Sequence, residues 1–306
     1  MNKTLVSLTM AVLLCTVASV ANAQQAFKTP DAAASALVAA AKASDMKAIA
    51  TVLGPDGDAI VSSGDKVADA RTRQKFVAAY EAKHQISMEG KNKAIIVIGD
   101  QDYPLPIPIV RKDGMWRFDT VAGREEILAR RIGRNELDAI QTCLAYVDAQ
   151  NDYADKDRTG AGKGVYAQRI VSGPGKKDGL YWPTSPDEDP SPLGELVAEA
   201  TAQGYHVGGG RAPFHGYYFK ILTKQGAAAP GGELDYVVNG KMIGGFALVA
   251  YPAVYRNSGV MTFIVSYAGN VFQKDLGPDT AKLAKQMTSY DPDRSWQKVL
   301  DTQLPK

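Results

Sequence analysis

Hydrophobic pattern, turn chemistry and segment length agree most closely between residues 214 and 277, where apolar runs of strand length are separated by turn formers. Residues 215–222 (HGYYFKIL), 245–251 (GFALVAY) and 260–267 (VMTFIVSY) are too short and too rich in β-branched and aromatic residues for helices, so each predicts a strand. Residues 235–238 (DYVV) follow the Gly/Ala/Pro loop 225–232 and run into Asn239-Gly240. That dipeptide tolerates the positive φ of a two-residue hairpin. With Val271-Phe272 as a short edge, the pattern predicts an antiparallel meander.

Upstream the period is helical. Thr29-Pro30-Asp31 supplies a hydroxyl cap, a pre-set φ and a carboxylate at the positive dipole end, opening a helix to about residue 43. Ser44-Asp45 caps a second helix over 46–53, which Gly54-Pro55 ends. After a Gly/Asp/Ser loop, residues 65–84 predict a third helix with Phe76, Val77 and Tyr80 on one face. Residues 94–98, 103–110 and 116–119 then predict strands, the last entered through an Asp113-Gly114 turn. Pro104, Pro106 and Pro108 alternate without an N–H, which implies a sheet edge or a bulged segment. Residues 123–155 predict a long helix, broken near Gly133, with Leu137, Ile140, Leu144 and Val147 as its apolar stripe. Beyond the meander, 279–286 predict a short helix, and Trp296 is expected to fold back onto the protein.

This order of elements implies an α+β chain in two parts: residues 24–123, then 124–278 as a long helix plus antiparallel sheet, with 279–306 as a C-terminal tail. Residues 1–23 read as an export signal, with Lys3 in the positive region, an apolar stretch over 5–20, and Ala21-Asn22-Ala23 as the cleavage site. The mature chain is expected to start at Gln24 and to lie in the periplasm. Leu14 before Cys15 is too large for a lipoprotein processing site. Cleavage leaves Cys143 as the single cysteine, so no intramolecular disulfide is expected. The 35 Lys and Arg offset 33 Asp and Glu and are interspersed with them, which leaves no footprint for nucleic acid or anionic lipid. No stretch after the signal is apolar enough for a membrane span.

Residues 39–55 (AAAKASDMKAIATVLGP) and 112–120 (KDGMWRFDT), in a helices-then-sheet order, resemble the NTF2-like cone fold. That resemblance implies a helix-lined cone over residues 27–120 which in some relatives holds a ligand or an Asp/His pair; His84 is the one histidine available to it here. Residues 135–154 (NELDAIQTCLAYVDAQNDYA), 164–170 (GVYAQRI), 178–183 (DGLYWP) and the sheet that follows resemble the globular half of type IV pilins and pseudopilins. The preceding ILARRIGR is polar, so the membrane stalk of a pilus subunit is missing. Over nearly the whole mature length the chain resembles the DUF2950 family of exported bacterial proteins of unknown function. The motifs are KKDGLYWP, SPLGELVAEA, PFHGYYFKILTKQG, APGGELDYVVNGKMIGGFALVAYPA and SGVMTFIVSYAGNVFQKDLGPDT. This resemblance implies export and a shared arrangement of motifs, and brings no catalytic residues.

Candidate chemistry is sparse. In His206-Val207-Gly208-Gly209-Gly210-Arg211, free N–H groups beside a guanidinium suit an anion, but Pro213 stands close by and no Lys-Ser/Thr pair opens a helix. His206, His215 and Asp235 fall short of a closed metal site. Ser258-Gly259 lacks a nucleophile elbow. Asp187, Glu188 and Asp189 sit in a Pro-flanked turn. Arg130, Arg131 and Arg134 read as a solvated face paired with Glu125, Glu126 and Glu136. Cys143 reads as a small buried hydrophobe. Tyr217, Tyr218, Phe219, Tyr236, Tyr251, Tyr255 and Trp182 make the second half aromatic-rich, as surfaces that recognise glycans or proteins are.

The candidate ligand-binding residues are therefore Arg211, His215, Asp235 and Trp182, with no catalytic residue, metal or cofactor expected. The leading expectation is a non-enzymatic binding or envelope-assembly module with an envelope protein or glycan as partner. The rival is an envelope hydrolase or small-ligand enzyme with its site in the cone or at the junction of the two parts.

Overall fold

The computed structural model describes residues 24–54, 57–185, 187–206 and 212–300; residues 1–23, read as an export signal, and Arg211 lie outside them. The N-terminal half starts with α1 (Pro30–Lys42), α2 (Met46–Leu53), α3 (Gly57–Val61) and α4 (Lys66–Ala82). Thr29 Oγ1 accepts from Ala32 N at 3.1 Å and Asp45 Oδ1 from Ala48 N at 2.9 Å, so both caps form as the sequence implies. Asp65 caps α4. A sheet follows: β1 (His84–Met88), β2 (Lys93–Ile98), β3 (Tyr103–Pro104), β4 (Ile109–Lys112) and β5 (Met115–Phe118), ordered β1-β2-β4-β5 with β3 also on β2. His84 is thus the first residue of a strand that the helical reading of 65–84 overlooked. The proline segment is the bulge between β3 and β4, which pair with opposite ends of β2, and Leu105 N still donates to Ile96 O. Leu37 and Trp116 are buried in the core of this half, with Phe76 packed against it.

One unbroken helix, α5 (Thr120–Asp155), runs from this sheet into the second half. The expected break at Gly133 does not occur. A glycine there costs only about 1 kcal/mol of helix propensity, and the carbonyls and amides of its neighbours stay in the helical ladder. Gly123 has a stricter requirement, since a Cβ would strike Pro106 O and Ile107, where α5 meets the proline segment. The apolar stripe is also rotated from the expected one. Leu137 is 48% exposed, whereas Ala139, Ile140, Cys143, Tyr146, Val147, Gln150 and Tyr153 are buried. Small and polar residues escaped a search for large aliphatics.

The second half continues with α6 (Gly194–Ala202), β6 (Tyr217–Leu222), β7 (Lys224–Gln225), β8 (Leu234–Asp235), β9 (Val237–Val238), β10 (Lys241–Met242), β11 (Ala247–Pro252), β12 (Met261–Ser266), β13 (Val271–Asp275), α7 (Thr280–Gln286), β14 (Ser289–Tyr290) and β15 (Gln297–Lys298). The main sheet is antiparallel, in the order β15-β13-β12-β11-β6. Every residue of β11 is buried, because α5 covers one face of the sheet and α7 packs on β11 from the other. Residues 235–238 do not join this meander. Tyr236 is their fully buried anchor, its hydroxyl donating to Gln225 Oε1 at 3.0 Å, with Val237 partly buried against the core, and they pair locally, β8 with β7 and β9 with β10. The β9–β10 hairpin does use Asn239-Gly240, at φ 49° and 78°. α7, β14 and the residue after β15 contribute Ala284, Tyr290 and Val299 to the second core, and Trp296 packs against it. The chain is α+β with two clusters of buried residues, one drawn from Phe27–Phe118 and one from Ala139–Val299.

Polar contacts join the two halves. Arg131 was expected on a solvated face, but its guanidinium donates to Ala59 O, Ile60 O and Asn257 Oδ1, and burial lowers its pKa. Glu136 accepts from Val260 N and Met261 N at 2.9 and 3.0 Å. Arg130 alone of the cluster keeps the expected kind of partner, Glu126 at 2.6 Å.

Candidate functional site

Among the described residues, β6 ends the main sheet with only Phe214 paired to its outer side, at Tyr217, and a cavity of about 350 Å³ lies along it. Tyr218, Phe219 and Lys220 all line this space. Consecutive strand residues point to opposite faces, so a cavity touching all three lies at the strand's edge. The opposite wall is α6 with its approach, through Leu193, Leu196, Val197 and Ala200. Their helical spacing puts them on one side of α6, with Val197 and Ala200 buried. Thr142 and Tyr146 of α5 close one end and Lys285 of α7 lies at the rim. The ionisable groups of the lining are His206, Lys220, Lys285 and tyrosines, with no carboxylate among the described residues. Lys220 Nζ is held by Lys285 O and Met287 O, both at 2.6 Å.

The turn that starts β6 is built by the sequence Phe214-His215-Gly216-Tyr217. His215 and Gly216 have φ of 48° and 76°, and Phe214 and Tyr217 exchange both backbone hydrogen bonds, at 2.8 and 3.0 Å. A side chain at position 216 would collide with Asn135 as well as strain the backbone. The turn places the His215 ring against Phe214 and Tyr205, with centroids 4.3 and 5.6 Å apart. His215 Nδ1 lies 2.9 Å from Asp138 Oδ2 of α5. Tyr205 in turn donates to Asp65 Oδ2 at 2.8 Å, and its pKa is pushed well above the usual tyrosine range by burial and then by that carboxylate. Burial does the same to Tyr146, whose hydroxyl donates to Ala247 O at 3.3 Å and accepts from Gln150 Nε2 at 3.0 Å.

The sequence candidates do not converge. His215 stands one ring away from the cavity. Asp235 is exposed on β8, opposite Lys224 in the β7–β8 register. Trp182 is buried in the second core, edge-on to Tyr153 with Arg158 over its ring, and its Nε1 has no hydrogen-bond partner among the described residues. Arg211 lies outside the described residues. Among the described residues, no three of His, Cys, Asp and Glu stand where they could hold a metal ion, and no helix is long and apolar enough to cross a membrane. Cys143 is buried, and its thiol is pushed up to about 12 by burial. A second, more open depression of about 400 Å³ lies between β2, the proline segment and the start of α5. The charged groups there are already paired, Lys93 with Glu89 and Arg130 with Glu126.

Sequence reasoning found the aromatic strand but not the wall facing it. The signal was present in SPLGELVAEA, whose Leu193, Leu196, Val197 and Ala200 repeat at helical spacing beside polar positions. A family model described as "Protein of unknown function (DUF2950)" matches residues 24–299. No curated protein and no solved structure matches the chain, so the cone-like and pilin-like likenesses rest on sequence motifs alone.

Proposed function

The chain belongs to the DUF2950 family, whose description assigns no activity, and we propose from the geometry of the groove that it is a non-enzymatic periplasmic binding module. Its binding site is the groove between β6 and α6. The observation that carries this is the lining itself: an apolar space of about 350 Å³ walled by Val197, Phe214, Tyr218, Phe219, Leu248 and Tyr251, rimmed by a few basic groups. A well-formed apolar pocket with a small polar complement is what small molecules and partner side chains bind. The acidic groups nearest to it, Asp65 and Asp138, are engaged by Tyr205, Gly216 and His215.

The test is a titration of the mature chain with the apolar fluorescent probe 1-N-phenylnaphthylamine. Saturable binding that Leu196→Trp abolishes by filling the groove, with thermal stability retained, supports the reading. Binding unaffected by Leu196→Trp and by Phe219→Ser refutes it.

The Asp138–His215 pair favours a second reading, hydrolysis of a groove-bound ester by water activated on the imidazole. It predicts turnover of p-nitrophenyl butyrate that His215→Ala removes and the binding reading does not require.

A further inference from the structure

The backbone of β6 carries information beyond its side chains. Tyr217 directs its N–H and C=O away from β11 toward Phe214, whereas Gly216 O, one residue earlier, accepts from Ala253 N on the β11 side. Peptide groups alternate along a strand, so the N–H and C=O of Phe219 and Ile221 also point outward. Neither residue has a backbone partner there among the described residues, and both are only half-buried. Ala212 and Pro213, the described residues just before Phe214, line the cavity and lie in no strand. The result is an open sheet edge facing a helix, α6, across an apolar gap.

We propose that the occupant of this groove is an extended peptide segment that adds to the main sheet as a strand beside β6. This rests on the groove being the binding site. Four outward peptide groups, two donors and two acceptors at a two-residue spacing, match a peptide main chain. A hydrocarbon or an aromatic small molecule would leave all four unpaired. Side chains of the added strand would alternate between the space lined by Leu196, Val197 and Phe219 and the space under Tyr218 and Tyr251. With Lys220 and Lys285 as the cations of the lining and no carboxylate beside them, the matching segment is apolar with acidic residues interspersed. Edge strands left open in this way are templates for another chain.

The experiment selects binders of the mature chain from a displayed library of octapeptides alternating apolar and acidic residues, counter-selecting against Leu196→Trp. Enriched peptides are then measured by fluorescence anisotropy. The expected result is binding that falls by about tenfold or more, as loss of hydrogen bonds to the edge implies, in each of two controls. The first is the same peptide N-methylated at alternate amides. The second is Ile221→Pro, which removes an outward N–H that the folded protein leaves unpaired, so the edge tolerates it. Amide exchange at Phe219 and Ile221 slows on addition of peptide and not of phenylnaphthylamine.

Enrichment of no peptide, while phenylnaphthylamine still binds in a Leu196-dependent way, overturns strand addition and leaves the groove reading standing. Failure of both ligands overturns both. Equal binding of the N-methylated peptide, or self-association through β6 that Ile221→Pro abolishes, also overturns the proposal, the latter by making a second copy the occupant.

Discussion

The hydroxyl of Tyr205 donates to Asp65 Oδ2 at 2.8 Å, joining residues 140 positions apart and linking the N-cap of α4 to the approach of β6. The same oxygen accepts from Gly216 N at 2.9 Å, while Oδ1 accepts from Val67 N and Ala68 N at 3.1 and 3.0 Å. Asp65 is 1% exposed, so these four donors replace its water. Asp65→Ala is expected to destabilise the protein by about 3 kcal/mol or more, through loss of a helix cap and two stranded buried donors. Asp65→Asn keeps the cap and should cost less. Chemical denaturation of both variants measures the difference.

Arg131 and Asn257 form another tie between the halves. The guanidinium spans two carbonyls of α3 and the Asn257 side chain, whose Nδ2 donates to Ser62 O at 2.8 Å. Arg131→Met should cost about 2–4 kcal/mol, the scale of charge-assisted bonds lost from a part-buried site. A double-mutant cycle with Asn257→Ala should show a coupling of about 1 kcal/mol, as expected for residues in direct contact. Strict additivity would mean that the two act separately.

Alkaline pH should unfold the protein cooperatively. Burial raises the pKa of Tyr146, Tyr205, Tyr217 and Tyr236 above the ordinary value of 10.0. A folded-state pKa above the unfolded one gives stability that is fully present below the unfolded value. That stability is lost progressively as pH rises from there toward the folded value. Stability is therefore expected to be insensitive to these groups below about pH 9 and to fall steeply above about pH 10. Tyrosinate absorbance should appear for these residues together with loss of the far-ultraviolet helix signal. Ionisation of all tyrosines before unfolding would contradict this.

Cys143 should be inert in the folded state. With the thiol fully buried and held near 12, labelling by a thiol-specific disulfide reagent should proceed only as fast as the protein opens. Rapid stoichiometric labelling under native conditions would show that α5 is not packed on the sheet as described.

Much of the fold was legible because local chemistry decided it. Thr29 and Asp45 cap the helices they announce, and Asp113-Gly114 and Asn239-Gly240 close the hairpins they announce. The errors came where tertiary context decided. Residues 235–238 carry a strand pattern but bury only Tyr236 fully and Val237 in part, and they pair locally outside the meander. Arg131 has the sequence neighbours of a surface residue, yet it reaches carbonyls more than 70 positions away. The site was half legible. The aromatic run at Tyr217–Leu222 marked a strand that lines the groove, but its edge became visible only once β11 was seen to pair with one side and, among the described residues, only Phe214, at Tyr217, with the other. His215 lies beside the groove as a turn residue held by Asp138, whereas Trp182 and Asp235 belong to other neighbourhoods.

The most direct measurement of the central claim is a crystal structure of residues 24–306 with phenylnaphthylamine. The account predicts density for the probe between Val197 of α6 and Phe219 of β6, with the Asp138–His215 pair undisturbed. Density confined to the depression beside Pro104 and Pro108, or an empty β6 edge with the probe elsewhere, would contradict it.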